Sequence, residues 1–345
     1  MIVPHFNDSE RLLRALQSIN HYLINNDFKI IVIDDCSKDF HLDIIKKYIY
    51  IHNDEIVLIE NITNKGTAYC RNIGLNWAIN NYFSHVMFVD SDDHLCDFLE
   101  ISEYLGSEIT IFNHYESNEG YTQHTEYRKH IFKKIDNNKE FISIPNSIIR
   151  YAIKPNKVPM LGACWAKIFA INSIVEINKF FNVEMRTFED VEFLISLLSS
   201  VEHVKIIDKS IYVHINGIPG MSATFGSAHD SNKMFSFLIV SRAMSKYFKL
   251  KLPGEYFNIR HFNACYYSIS LVRVALRAKN LSGIYSFYSF VRKRMQSTLF
   301  KKAFFYYDVN AAEGHKIIKF LVRYRLSFLL TVVLILISRK RYKNA

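Results

Sequence analysis

Four short apolar runs in the first 90 residues each end in polar or acidic side chains, and segments of helical period separate them. IVP (2–4) is followed from Ser9 by Leu12, Leu13, Leu16 and Ile19 at helical spacing, which predicts a strand and then an amphipathic helix. KIIVID (29–34) is a second strand, with a helix around 40–49. EIVLIE (55–60) is a third, GTAYCRNIGLNWAIN (66–80) a helix, and HVMFVD (85–90) a fourth strand. Strands alternating with helices predict an α/β fold around a Rossmann-like, mostly parallel sheet. Ligands of such sheets bind at the carboxyl ends of the strands. Both acidic clusters of this region, IDD and VDSDD, fall at those ends.

Further along, SEITIFNHY (107–115) reads as a strand, TFEDVEFLISLL (187–198) as the start of a helix, and HVKII (203–207) with IYVHI (211–215) as a strand pair. Beyond NGIPGMSATFGS the pattern changes to long helical segments at 229–248, 255–279 and 281–297, rich in Tyr, Phe, Lys and Arg. A boundary is therefore expected near 220–228, dividing an α/β domain (1–222) from a basic, aromatic helical region (223–345).

Charge sharpens that division. Residues 1–225 carry 21 Lys and Arg against 29 Asp and Glu, whereas residues 226–345 carry 22 against 4. The two halves are built for different surroundings. At 345 residues and 49% hydrophobic the composition is that of a globular protein rather than a disordered one. Five scattered cysteines without CxxC spacing point to a reducing compartment and away from a disulfide framework or a zinc site. The N-terminal MIVPHFNDSE has no basic-plus-apolar leader pattern.

Near the C-terminus, LSFLLTVVLILIS (326–338) is the most apolar stretch, flanked by RYR and RKRYK. A spanning helix needs about 20 apolar residues, and this run is shorter. It is expected to lie in or dip into one leaflet, with Arg323, Arg325, Arg339, Lys340, Arg341 and Lys343 available to anionic headgroups. The competing reading is a core helix at a chain end.

The chemistry concentrates in FVDSDD (88–93). Asp90, Asp92 and Asp93 crowd three carboxylates within four positions, a group that resists ionisation unless a cation joins it. A hard divalent ion, Mg²⁺ or Mn²⁺, takes oxygen ligands of this kind and commonly shares them with phosphate oxygens. Asp-rich polar turns also occur without an ion, so the residues alone leave both readings open.

Taken in order, PHFN (4–7), VIDDCS (32–37), NKGTAYCRNIG (64–74), FVDSDD (88–93), CWAKIF (164–169) and FEDVEF (188–193) resemble the family 2 glycosyltransferases with the GT-A fold. These are bacterial enzymes that build surface polysaccharides from nucleotide sugars. The resemblance extends to about residue 215 and does not cover the C-terminal 120 residues. It implies that Pro4 and Asn7 line a nucleotide pocket, that Asp35 accepts a hydrogen bond from uracil, and that Arg71 reaches the nucleotide. It also implies that Asp90 contacts ribose or metal-bound water, Asp92 ligates Mn²⁺ or Mg²⁺, and Asp93 supports the donor sugar or the metal shell. Asp190 matches the family's catalytic base, with Glu189 beside it on acceptor or donor. Trp165 borders the acceptor in relatives, and His214 is a third metal ligand in some of them.

Each of these residues also has a structural reading. Asp34 and Asp35 follow a strand and can cap a helix, Arg71 can sit on a solvated helix face, and Thr187 with Asp190 has capping-box spacing. Trp165 can be a buried Trp, and His214 a lone strand histidine. Two features depart from the family pattern: only three residues precede Pro4, and Cys36 and Cys70 stand where Gly and Ala are common.

The implied function is an inverting, metal-dependent transfer of a hexose or N-acetylhexosamine from a UDP-sugar to a lipid-linked or oligosaccharide acceptor. The setting would be O-antigen or capsule synthesis on the cytoplasmic side of a bacterial inner membrane, with peripheral attachment. An aspartyl phosphatase would need Thr or Val where His94 stands, and it leaves IDD and NKG unexplained. The alternative of a different class is a membrane or nucleic-acid binding protein on a degenerate transferase fold. The C-terminal half contains no recognised nucleic-acid motif, and no nucleic-acid partner is expected.

Overall fold

The computed structural model describes residues 1–22, 28–51, 55–96, 104–118, 128–129, 144–153, 161–216, 227–259, 262–263, 284–296 and 316–342. Most of the expected boundary at 220–228 and of the expected helix over 255–279 lies outside the described residues. The chain divides into two compact units, one formed by Met1–Ile144 with Met160–Val240, the other by Pro145–Pro159 with Ser241–Ala345.

The first unit opens with β1 (Ile2–His5), α1 (Ser9–Tyr22), β2 (Ile30–Asp34), α2 (Asp39–Ile51), β3 (Ile56–Glu60) and α3 (Thr67–Asn80). The three strands pair in parallel in the order β1-β2-β3. Their residues Ile2, Val3, Ile30, Val32 and Ile33 are completely buried, as continuous apolar runs covered on both faces require. Leu12, Leu16 and Ile19 of α1 join the same core. The glycine of RNIG lets α3 lie close against the sheet: a Cβ at Gly74 would stand 2.5 Å from Cγ2 of Ile2.

A second, mixed sheet follows, built from β4 (His85–Met87), β5 (His94–Leu95), β6 (Ile109–Asn118), β7 (Arg128–Lys129), β8 (Lys167–Ala170) and β9 (Val204–Asn216). Its order is β4-β8-β6-β9-β5, with β7 paired to β6. Phe88 joins the two sheets through single bridges to Ile2 and Trp165. The run HVMFVD therefore forms only a short strand, antiparallel to β8, before the chain turns at Asp90.

The expected pair HVKII and IYVHI is instead one strand. β9 runs parallel to β6 along its length and absorbs the polar DKS segment as an irregularity opposite Phe112–His114. That segment lacks the Gly and Asn that a tight hairpin turn needs. Asn113 hydrogen-bonds Asp208 there at 2.5 Å. Between these strands lie α5 (Ile171–Glu176) and α6 (Glu189–Leu198), which buries Val191, Phe193, Leu194, Ile195, Leu197 and Leu198.

The second unit contains most of α4 (Ile144–Ile153) and the C-terminal part of α7 (Ser227–Lys251), then α8 (Ile284–Gln296), α9 (Lys316–Arg323) and α10 (Ser327–Tyr342). Within α10, Leu330, Thr331 and Leu334 are buried while Phe328, Leu329, Val332 and Leu336 are exposed. Among the described residues no helix is long and apolar enough to cross a membrane.

Candidate active site

Three loops at the carboxyl ends of β1, β2 and β3 are tied together by polar side chains. After β1 the backbone turns through Asn7 at φ 52°, and after β2 through Cys36 at φ 66°. Asn7 donates its N–H to Ser37 Oγ at 2.8 Å and accepts from the Lys38 N–H through Oδ1 at 2.8 Å. His5 Nε2 accepts the Asp8 N–H at 3.0 Å, so its proton is on Nδ1, which donates to Asp34 at 2.9 Å. Burial works to raise the Asp34 pKa, but hydrogen bonds from His5 and Ser37 more than offset it and hold the carboxyl below its ordinary range.

Asp35 organises the next loop. Its carboxylate accepts from Asn61 Nδ2 at 2.9 Å, from the Lys65 N–H at 2.8 Å and from the Gly66 N–H at 2.7 Å. Gly66 stands at φ 92°, where a side chain would be strained, and it opens α3. Pro4 is buried within β1, opposite Ile33. Pro4, Asn7 and Asp35, expected to border a nucleotide, thus lie toward the carboxyl ends of β1 and β2, with Asp35 and Asn7 engaged by the loops they brace.

Arg71, one turn into α3, is only 2% exposed. Its Nη2 donates to Asp90 at 2.9 Å, and its Nη1 to Asp190 and, at 3.4 Å, to Glu189. The guanidinium also lies over the Phe181 ring, 5.4 Å from its centre. A solvated helix face is therefore not its place. One cation here joins three carboxylates from two distant segments, and their charge raises its pKa well above the ordinary value against the effect of burial.

The acidic pair reaches Arg71 from the first turn of α6. The preceding Phe188 is left-handed at φ 65°, a conformation that costs a bulky residue on the order of 1–2 kcal/mol. No side chain caps the helix, and the buried Thr187 Oγ1 has no hydrogen-bond partner among the described residues. The capping box allowed by the sequence is not formed. Asp190 turns to Arg71 instead. Burial pushes the pKa values of both Glu189 and Asp190 upward, with Arg71 pulling them back only in part.

In the DSDD turn, single ligand oxygens of Asp90, Asp92 and Asp93 lie within 4.8 Å of one another. Burial and the neighbouring Asp90 and Asp93 raise the Asp92 pKa to about 7. Arg71 offsets part of this charge through Asp90, and the oxygens that remain are hard ligands of the kind Mg²⁺ or Mn²⁺ takes. The three are not equivalent. Asp93, 2% exposed, accepts from Tyr212 OH at 2.8 Å, from the Ile215 N–H at 2.8 Å and from His214 Nδ1 at 3.2 Å. Burial opposes the positive charge on His214, but the hydrogen bond and charge of Asp93 prevail and raise its pKa. His214 is held to Asp93 through Nδ1, and it is not among the side chains whose ligand atoms gather in the turn.

Trp165 is 6% exposed. Its ring stacks on Tyr212 at 4.8 Å with an interplanar angle of 3° and on His214 at 5.2 Å, while His114 meets it edge-on at 4.6 Å. This is the place of a buried Trp that braces β9, and it leaves little ring surface for a sugar. Two further groups were not singled out by sequence. Tyr212 is fully buried against the acidic turn, and Lys167, 1% exposed, donates to the carbonyls of Ala163 at 2.9 Å and Trp165 at 3.1 Å. The lysine inside the apolar strand CWAKIF was the available signal for the second; the alternation of IYVHI, which puts Tyr212 and His214 on one face, was the signal for the first.

Residues 1–165 match the family model described as glycosyl transferase family 2. The chain is 24% identical over 276 residues to the poly(ribitol-phosphate) beta-N-acetylglucosaminyltransferase TarS of Staphylococcus aureus strain MW2, covering 76% of this chain and 44% of the relative. It is 29% identical over 96 residues to the poly(ribitol-phosphate) beta-glucosyltransferase of Bacillus spizizenii, covering 28% of this chain and 15% of the relative. The chain thus spans less than half the length of these curated relatives. Among solved structures it is similar to S. aureus TarS 1–349 in complex with UDP-GlcNAc, with a TM-score of 0.59 and 18% identity over 99% of this chain and 91% of that one. That likeness shows the fold, of the GT-A type, with a helical C-terminal region in this chain.

Proposed function

We propose that this chain, which carries a glycosyl transferase family 2 domain in residues 1–165, transfers a hexose or N-acetylhexosamine from a UDP-sugar to a bacterial surface glycopolymer or its precursor. The observation that carries the reading is the convergence on Arg71 of Asp90 from the acidic turn and of Glu189 and Asp190 from α6. A binding protein has no need for such a buried, partly uncompensated carboxylate group. A transferase does, since it must handle diphosphate charge and an acceptor proton side by side.

In this reading Pro4, Asn7 and Asp35 border the nucleotide, and Asp90, Asp92 and His214 hold a divalent ion. When bound, that ion offsets the charge that grows on the diphosphate as the glycosidic bond breaks. Asp190 takes the acceptor proton. Its burial suits the role, because a carboxyl held above its ordinary pKa is the stronger base near neutral pH. Glu189 orients the acceptor or donor sugar. Attack from the face opposite the diphosphate inverts the anomeric centre, so an α-linked donor gives a β-glycoside.

The basic C-terminal half supports a membrane-linked acceptor. The exposed Phe328, Leu329, Val332 and Leu336 of α10 form an apolar side next to Arg323 and Arg325. This supports peripheral attachment to an anionic membrane surface, on the cytoplasmic side, where a lipid-linked acceptor would be met. The names of the relatives point to polyol-phosphate polymers rather than to O-antigen or capsule as the polymer class. Incubation with UDP-GlcNAc, UDP-glucose and UDP-galactose in Mn²⁺, with lipid-diphosphate and poly(ribitol-phosphate) acceptors, tests the reading. A β-linked product is expected, and an α-linked product or no transfer from any donor contradicts it.

A further inference from the structure

Tyr212 touches the acidic turn at two points. Its hydroxyl donates to Asp93 Oδ2 at 2.8 Å and accepts the Asp90 backbone N–H at 3.1 Å. One phenolic oxygen therefore spans the first and last residues of the DSDD turn, which closes on itself through the Asp93 N–H and the Asp90 carbonyl at 3.1 Å. The phenol has little freedom to do anything else. It is fully buried, and its ring lies flat against Trp165. The antiparallel register of β5 with β9, Leu95 facing Tyr212 and His94 facing Val213, brings the turn beside this part of the strand.

The same contacts divide the three carboxylates. Both oxygens of Asp93 are occupied, Oδ2 by Tyr212 and His214 and Oδ1 by the Ile215 N–H. A carboxylate that accepts three donors in a buried place has few lone pairs left for an ion. Asp90 and Asp92 are both more exposed than Asp93. We infer that Tyr212 is a positioning residue: it fixes Asp93 as a strut rather than a metal ligand, and through that strut and the Asp90 backbone it presents Asp90 and Asp92 to a divalent cation.

The inference rests on the metal reading proposed above, and the two fail in different ways. Partners that orient first ligands typically affect metal affinity about 10–100-fold. Mn²⁺ binding to the full chain, followed by the loss of free-ion paramagnetic resonance with and without UDP, separates the cases. Tyr212→Phe keeps the ring against Trp165 and removes only the hydroxyl, so the fold is retained and Mn²⁺ affinity should fall about tenfold or more. Asp93→Asn should weaken Mn²⁺ partially, whereas Asp92→Asn should abolish binding. Native protein that binds no Mn²⁺ overturns the metal reading itself. Native protein that binds Mn²⁺ while Tyr212→Phe binds it within twofold of native, or Asp93→Asn abolishing binding as completely as Asp92→Asn, overturns the role given to Tyr212.

Discussion

Arg71 and Asp190, 119 residues apart in the chain, meet in a buried ion pair that joins the helix after the third strand to the first turn of α6. Because Asp190 spends its nearer oxygen on Arg71 and not on a helix cap, its substitution separates two accounts of the residue. Asp190→Asn preserves size and much of the hydrogen bonding. If the carboxylate accepts the acceptor proton, kcat should fall about 10²-fold or more, the range for losing a positioned general base, with little change in UDP affinity. Steady-state kinetics with UDP titration checks this. Near-normal turnover would assign the proton to another group.

Lys167 gives a prediction in pH. Burial lowers its pKa from the ordinary 10.5 to about 8, although the charges of Cys164 and Asp190 oppose the shift. Below about pH 8 the folded and unfolded chains both hold the proton. Between about 8 and 10.5 the unfolded chain binds it and the folded chain has released it, so stability rises with pH across that window. The gain is on the order of 3 kcal/mol. Urea unfolding from pH 7.5 to 10.5 should show this rise in the native chain, and Lys167→Met should flatten it. Equal slopes would mean that the ammonium is not desolvated.

How far the sequence reached depends on what each residue depends on. Apolar runs ending in carboxylates located the site at strand ends, because burial and strand period are local properties of the chain. The roles of Asp35 and Trp165 needed partners the sequence does not display: Asp35 is filled by the N–H groups of Lys65 and Gly66, and Trp165 is covered by Tyr212 and His214. Likewise, the alternation in HVKII and IYVHI predicts strand but not its neighbour, and a parallel β6 made one strand of two. Arg71 was recognised as a site residue, yet its three carboxylates come from a turn and a distant helix whose proximity only the fold creates.

The exposed side of α10 predicts membrane attachment that survives salt in part. Leu329 and Leu336 are both exposed, so charging them should leave folding intact. Burying a leucine in an apolar phase is worth roughly 1.5–3 kcal/mol, and Leu329→Glu with Leu336→Glu should therefore reduce binding to anionic vesicles more than tenfold. Co-sedimentation of the native chain should weaken only partially at 1 M salt, because apolar contacts are not screened. Unchanged sedimentation of the double variant would move the attachment elsewhere.

The central claim is that the acidic turn and α6 together run metal-dependent transfer from a UDP-sugar. UDP release from the accepted donor, measured in Mn²⁺ and again in excess EDTA for the native chain and Asp92→Asn, tests it most directly. The account predicts rapid release in Mn²⁺, loss of at least about 10²-fold with EDTA, and a comparable loss in Asp92→Asn that added Mn²⁺ does not restore. Undiminished UDP release in EDTA, or full activity of Asp92→Asn, would contradict it.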